Sequence, residues 1–246
     1  ILLSRPFRSP HHTASYIALT GGGQNAKPGE ISLAHNGVLF LDEVPEYSRH
    51  SLESLRQPLE DKVITIARAN KTVTYPANFM LIASMNPCPC GNYGSKTKEC
   101  TCTVTQIQNY LHKLSGPLMD RIDLHVEVDS VSYGELVSEE TAEPSSKVKE
   151  RINAARAVQA ERFTGQDIRT NSQMSAQLTK KYCALDGKGN ALMESAFRNL
   201  QLSARARDRI LKVARTIADL EGSADIAAKH VAEAVQYRSL DKKYRV

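Results

Sequence analysis

Gly37-Val-Leu-Phe-Leu-Asp42-Glu43 is an unbroken apolar run that stops on two adjacent acids. Apolar residues in succession, without the alternation of a half-exposed strand, are the pattern of a strand covered on both faces of a parallel sheet. The rigid end of such a strand suits metal-nucleotide chemistry. One carboxylate can be fixed beside a Mg²⁺ shell while the next polarises a water. In the alternative reading, Asp42 and Glu43 are acids complementing the dipole of a following helix. What accompanies the pair decides between the two.

Outward from this run, Phe79-Met-Leu-Ile-Ala-Ser84 is a second apolar stretch of the same kind, predicting another buried strand. Leu52, Leu55 and Leu59 recur between them at helical spacing, and Val63-Ile-Thr-Ile66 and Thr72-Val-Thr-Tyr75 flank Asn70-Lys71 as an expected hairpin. Ile122-Asp-Leu-His-Val-Glu-Val128 reads as a third strand of the set. Strand and helix alternation predicts an α/β core with a mainly parallel sheet over 1–130. A polar stretch containing Glu139-Glu-Thr-Ala-Glu-Pro-Ser-Ser146 predicts a linker over 131–146. Residues 147–246 are rich in Ala, Lys, Arg and Glu, and Ile210, Val213, Ala214, Ile217 and Leu220 repeat at three and four, so a helical domain is expected there.

The 246 residues are 41% hydrophobic and 24% charged, which excludes a disordered chain and needs no disulfide to build a core. No apolar run approaches the roughly 20 residues of a membrane span. With neither an initiator Met nor a signal-peptide pattern at Ile1, the chain is read as a fragment of a cytoplasmic protein. Lys and Arg exceed Asp and Glu by 32 to 27, a surplus that permits a nucleic-acid partner without requiring one.

Three further elements bear on the acidic pair. Ser84-Met-Asn86-Pro87 ends the second strand on an amide able to hold a water or contact a γ-phosphate, although Asn there also suits a turn. Gly116-Pro-Leu-Met-Asp120-Arg121-Ile-Asp123 offers a guanidinium, always charged and able to grip phosphate bidentately, or an intrachain pair of Arg121 with Asp120 or Asp123. Ser203-Ala-Arg205 opens a helix with a cation that opposes the dipole, so Arg205 is expected to answer to a ligand or an acid.

In order and spacing this set resembles the AAA+ ATPases over nearly the whole chain. Arg5-Pro-Phe-Arg-Ser-Pro-His-His12, Pro28-Gly-Glu-Ile-Ser-Leu-Ala-His35 and Asn86-Pro-Cys-Pro-Cys-Gly91 resemble more narrowly the bacterial magnesium-chelatase-like family of the ComM and YifB type. The resemblance implies an AAA+ core with a helical lid, and ATP and Mg²⁺ as cofactors. It implies Asp42 and Glu43 as the Walker B pair, Asn86 as sensor 1, Arg121 as the arginine finger and Arg205 as sensor 2. It also implies a homo-hexamer that works on DNA by ATP-driven branch migration. Two rival expectations are a chelatase-type motor remodelling a metal-insertion partner and a ring scaffold without turnover.

A phosphate-binding Gly-x-x-x-x-Gly-Lys-Ser/Thr string is absent. Gly21-Gly-Gly-Gln-Asn-Ala-Lys27-Pro-Gly29 does not satisfy it, since Lys27 precedes Pro28, and is assigned to a flexible surface loop. In the family the phosphate loop lies upstream of Arg5, so the fragment is expected to bind ATP weakly or not at all and not to hydrolyse it. Cys88-Pro-Cys90 and Cys100-Thr-Cys102 are two close pairs that could enclose Zn²⁺, although Cys-x-Cys is tighter than usual zinc spacing; the alternative is four reduced thiols. Cys183 is expected to pack. His11, His12 and His35 have no acid nearby in sequence and are read as structural. Arg68 and Lys71, in or beside the hairpin, suit either a solvated turn or a pore-facing phosphate contact.

Overall fold

The computed structural model describes residues 4–68, 71–95, 97–128, 131, 137 and 142–238. The apolar run from Val38 forms the central strand of a three-stranded parallel sheet. Its outer strands are β1 (Phe7–Arg8) and, beyond the central β4 (Val38–Leu41), β7 (Met80–Ala83). Val38 to Leu41 pair in step with Met80 to Ala83, so the two strands end level, at Asp42 and Ser84. Gly37 permits the approach of β1: a Cβ there would stand 1.9 Å from the Pro6 carbonyl oxygen, which instead accepts from the Val38 amide at 2.8 Å.

The short helices α1 (Tyr16–Thr20) and α2 (Glu30–Leu33) enclose a small ribbon, β2 (Gly21–Gly22) paired antiparallel with β3 (Lys27–Pro28). The segment expected as a flexible surface loop is therefore ordered main chain. Gly21 at φ 91° lets the two strands touch, Ala26 is buried, and the Ala26 carbonyl accepts from the Tyr75 hydroxyl at 2.8 Å. Leu52 and Leu55 are buried as their spacing predicts, but the helix is broken into α3 (Arg49–Glu53) and α4 (Arg56–Asp61). The expected hairpin is present as β5 (Val63–Arg68) and β6 (Lys71–Pro76), in register from Val63 with Pro76 to Arg68 with Lys71. Asn70 and the side chains of Arg68 and Lys71 lie outside the described residues. Helices α5 (Val104–Leu111) and α6 (Gly116–Met119) follow; α5 opens on a reciprocal capping box between Thr103 and Gln106.

Two strand expectations need correction. β7 forms, but it is not buried on both faces: Met80 is 61% exposed and Ile82 43%, because β4 is its one strand partner among the described residues. Ile122 to Val128 pairs with no strand among the described residues. Leu124, Val126 and Val128 stand in solvent, so apolar alternation here had no face to cover.

The chain divides into two compact units, Ile1–Ile122 and Asp123–Arg245. Most of the expected linker 131–146 lies outside the described residues. In the second unit α7 (Ser145–Arg162), α8 (Ala176–Tyr182), α9 (Gly187–Asn199), α10 (Ala204–Glu221) and α11 (Ala228–Gln236) pack about one apolar cluster. It includes Ile210, Ala214 and Ala218 from α10, Val231 and Ala234 from α11, and Cys183, the packing residue expected there. A polar knot lies within the same unit. Asp219, its side chain wholly buried, accepts from Arg162 at 2.5 and 2.8 Å, Arg215 at 3.1 Å, Asn171 at 2.7 Å and Gln159 at 3.2 Å.

Candidate active site

The level ends of β4 and β7 bring their terminal side chains together. Ser84 donates its hydroxyl to Oδ1 of Asp42, and the Glu43 amide donates to the same oxygen at 3.0 Å. The backbone ties the ends as well: Ser84 N–H meets the Leu41 carbonyl and Val44 N–H meets the Ser84 carbonyl, both at 3.0 Å. Asp42 is thus oriented through one oxygen while its residue remains exposed. Glu43 sits at φ 49°, ψ 48°, a left-handed conformation unusual for a residue with a side chain, and leads into a 3₁₀ turn over Val44–Glu46. That turn, not an α-helix, follows the acids, and Glu43 makes no side-chain cap to it.

Sequence distance hid two partners. His12 places Nδ1 3.2 Å from Oε2 of Glu43, so the acid missing around the histidines locally is supplied by the fold. His12 also stacks on His11 and meets the Tyr47 ring edge-on, while the Tyr47 hydroxyl holds the Pro10 carbonyl at 2.6 Å. Ser84 was legible only as a strand residue; its role depends on the register of β4 with β7. Arg8, ambiguous in sequence, forms a two-pronged bond with Glu30, 2.6 Å at each oxygen. His35 accepts from the Asn78 amide at 3.1 Å.

Asn86 is exposed just beyond β7, with its backbone amide near the hydroxyl of Tyr110 on α5. Burial, followed by the nearby Glu46 carboxylate, raises the Tyr110 hydroxyl above its ordinary range. Arg121 pairs with Glu60 at the end of α4 and donates to the Pro117 carbonyl at 2.7 Å; Asp123 pairs with Arg209. The Arg121 side chain is only 9% exposed, and its buried Nε has no hydrogen-bond partner among the described residues. It lines a cleft of about 600 Å³ with Glu53, Arg56, Gln57 and Glu60. Arg205 is exposed in the first turn of α10, after the Ser203 side chain caps the Ala206 amide at 3.1 Å.

The two cysteine pairs converge. The four sulfurs of Cys88, Cys90, Cys100 and Cys102 lie within 4.8 Å of one another, with Cys88 to Cys90 at 3.4 Å, Cys90 to Cys100 at 3.6 Å and Cys88 to Cys100 at 3.7 Å. The Cys88 sulfur accepts the Tyr93 N–H at 3.3 Å, and the backbone amides of Asn92 and Thr101 lie near the Cys90 sulfur. The amides of Asn92 and Thr101 lower the Cys90 thiol to about 5. The Cys102 amide favours the Cys100 thiolate, but burial and the neighbouring Cys90 and Cys88 sulfurs outweigh it and push that thiol up to about 12.

A parallel sheet ending in oriented acids, followed by a separate helical unit, is the arrangement of an AAA+-type nucleotide-handling protein. The family model described as "Magnesium chelatase, subunit ChlI" matches residues 1–136, and "Magnesium chelatase, subunit ChlI C-terminal" matches 142–238. The chain belongs to this magnesium-chelatase family, and within it is of the ComM and YifB type. It is 47% identical over 96% of its length to "Competence protein ComM" of Haemophilus influenzae, covering 45% of that protein. It is 45% identical over 97% of its length to "Uncharacterized protein YifB" of Escherichia coli, covering 46%. A more distant relative is "Magnesium-chelatase subunit ChlI-2, chloroplastic" of Arabidopsis thaliana, 26% identical over 78% of this chain and 44% of that one. The chain thus spans about half the length of the curated relatives it matches. Membership implies nucleotide and Mg²⁺ handling in general. Among the described residues no helix is long and apolar enough to cross a membrane.

Proposed function

We propose that this chain supplies the magnesium and water side of an ATPase subunit that works as a cytoplasmic homo-hexamer on DNA. The observation that carries the proposal is the pairing of Asp42 with Ser84 at the level ends of β4 and β7, with Glu43 adjacent. Asp42 Oδ1 is already occupied by two donors, and Oδ2 has no partner among the described residues, which fits a single carboxylate contact to a Mg²⁺ shell. When bound, Mg²⁺ neutralises phosphate oxygens and helps align them.

In this reading Glu43 orients and deprotonates the attacking water, and His12 restrains its carboxylate between turnovers. Asn86 reads the γ-phosphate from the end of β7, while Arg121 acts as the arginine finger toward a neighbouring subunit and Arg205 as sensor 2. The core over 1–130 carries the acids, and the helical lid over 147–246 carries Arg205. The 246 residues hold no phosphate-cradling Gly-x-x-x-x-Gly-Lys-Ser/Thr string.

The relative named as a competence protein supports placing the work on DNA. Likeness to a chelatase subunit favours a second reading, a motor that remodels a metal-insertion partner. ATP turnover by the whole protein, measured with and without branched or single-stranded DNA, separates them: stimulation that weakens as salt rises supports the DNA reading, and its absence counts against it. In the same assay Glu43→Gln should leave ATP bound while turnover falls by about 10²–10⁴-fold. Unchanged turnover would remove Glu43 from the chemistry.

A further inference from the structure

The stretch between Ala83, where β7 ends, and Val104, where α5 begins, contains no helix or strand among its described residues. A connection longer than about 12–15 residues without regular structure needs its own source of order. Few apolar side chains supply it here: Cys88 is the one buried hydrophobic residue in this stretch among those described. The convergent feature is the sulfur cluster.

We propose that Cys88, Cys90, Cys100 and Cys102 hold one structural zinc ion in a closed tetrahedral thiolate site, which pins the loop between Asn86 and the start of α5. Zn–S bonds of about 2.3 Å meeting at tetrahedral angles separate their sulfurs by about 3.8 Å, close to the 3.4, 3.6 and 3.7 Å observed. The same sulfurs are far from the 2.0–2.1 Å of roughly any disulfide.

The Tyr93 N–H donated to Cys88 and the Asn92 and Thr101 amides near Cys90 are outer groups of the kind that orient thiolate ligands and disperse their negative charge. Zn²⁺ replaces the thiol protons, which pass to solvent, and four thiolates complete its shell without an open position for chemistry. Cys-x-Cys is a tight spacing, but the four sulfurs lie within 4.8 Å of one another, so each pair can contribute one edge of the tetrahedron. The site's consequence is positional. Its chain enters directly from Asn86-Pro87 and leaves at Thr103, the cap of α5.

The test is elemental analysis of the whole protein purified without chelator, paired with cobalt substitution after the native metal is stripped. About one zinc per chain is expected, with Co²⁺ giving the intense thiolate charge-transfer and tetrahedral ligand-field bands of a four-sulfur site. The double variant C100S/C102S should lose the zinc. Should that variant fail to fold, the cobalt spectrum of the unaltered protein still decides. Zinc well under one per chain with four thiols freely alkylated, iron at one per chain, or disulfides within the cluster would each overturn the proposal. None of these readouts depends on ATP turnover, so failure of the ATPase reading leaves this one standing or falling by itself.

Discussion

At the residue scale, the placement of Asp42 depends on Ser84. A carboxylate at a strand end has two free torsions, and the Ser84 hydroxyl together with the Glu43 amide fixes both by holding one oxygen. On the proposed ATPase function, Ser84→Ala should therefore lower ATP turnover of the whole protein by about 10–100-fold and raise its Mg²⁺ requirement, read from a magnesium titration of the steady-state rate. Equal rates at every magnesium concentration would show that Asp42 needs no such support. Arg121 presents the opposite case. Its charge is met by Glu60 of the same chain, so a neighbouring phosphate would compete with Glu60 for it. The Asp-Arg-x-Asp string suggested its flanking acids; a partner on α4, 61 positions away, could not be read from sequence because only the fold brings the two together.

At the scale of elements, two junctions are open to direct test. Gly37 lies where β4 passes the Pro6 carbonyl, and Gly37→Ala has nowhere to put its methyl group without moving β1. It should destabilise the protein by about 1–3 kcal/mol in urea unfolding, the usual range for overpacking. Thr103 caps α5 through a reciprocal pair with Gln106, and Thr103→Ala should cost about 1 kcal/mol by the same measurement. The Asp-Glu ending of β4, the helical spacing around Leu52 and the β5–β6 hairpin were all legible, because each rests on local periodicity. The failure at Ile122 to Val128 has the same root. Alternation says which residues would share a face, but not whether a neighbouring strand is there to pair with them.

On the scale of the whole molecule, each unit has its own core, and the second depends on a buried charge. Asp219 is screened from water and held by Arg162, Arg215, Asn171 and Gln159. Burial alone would raise its carboxyl, but the Arg162 and Asn171 hydrogen bonds and the two guanidinium charges overcome that and hold it below the usual carboxylate range. A folded value below the unfolded one means that this stabilisation is fully present above about pH 4 and is lost as pH falls through the folded value. Asp219→Asn leaves the buried Arg215 and the part-buried Arg162 without their carboxylate and should cost about 3–5 kcal/mol, measured by denaturant unfolding at neutral pH. It should also remove part of the acid sensitivity below that pH.

The sequence by itself determined the α/β class, the acidic end of the central strand, the helical second half and the pairing of cysteines into two close sets. All of these depend on neighbours within a few positions, where periodicity and adjacency suffice. Only the tertiary structure decided that Ser84 holds Asp42, that His12 reaches Glu43, that Arg121 rests on Glu60 and that four sulfurs converge. Those contacts join residues separated by 10 to 61 positions. They are set by strand register and chain reversal, which a linear pattern leaves free.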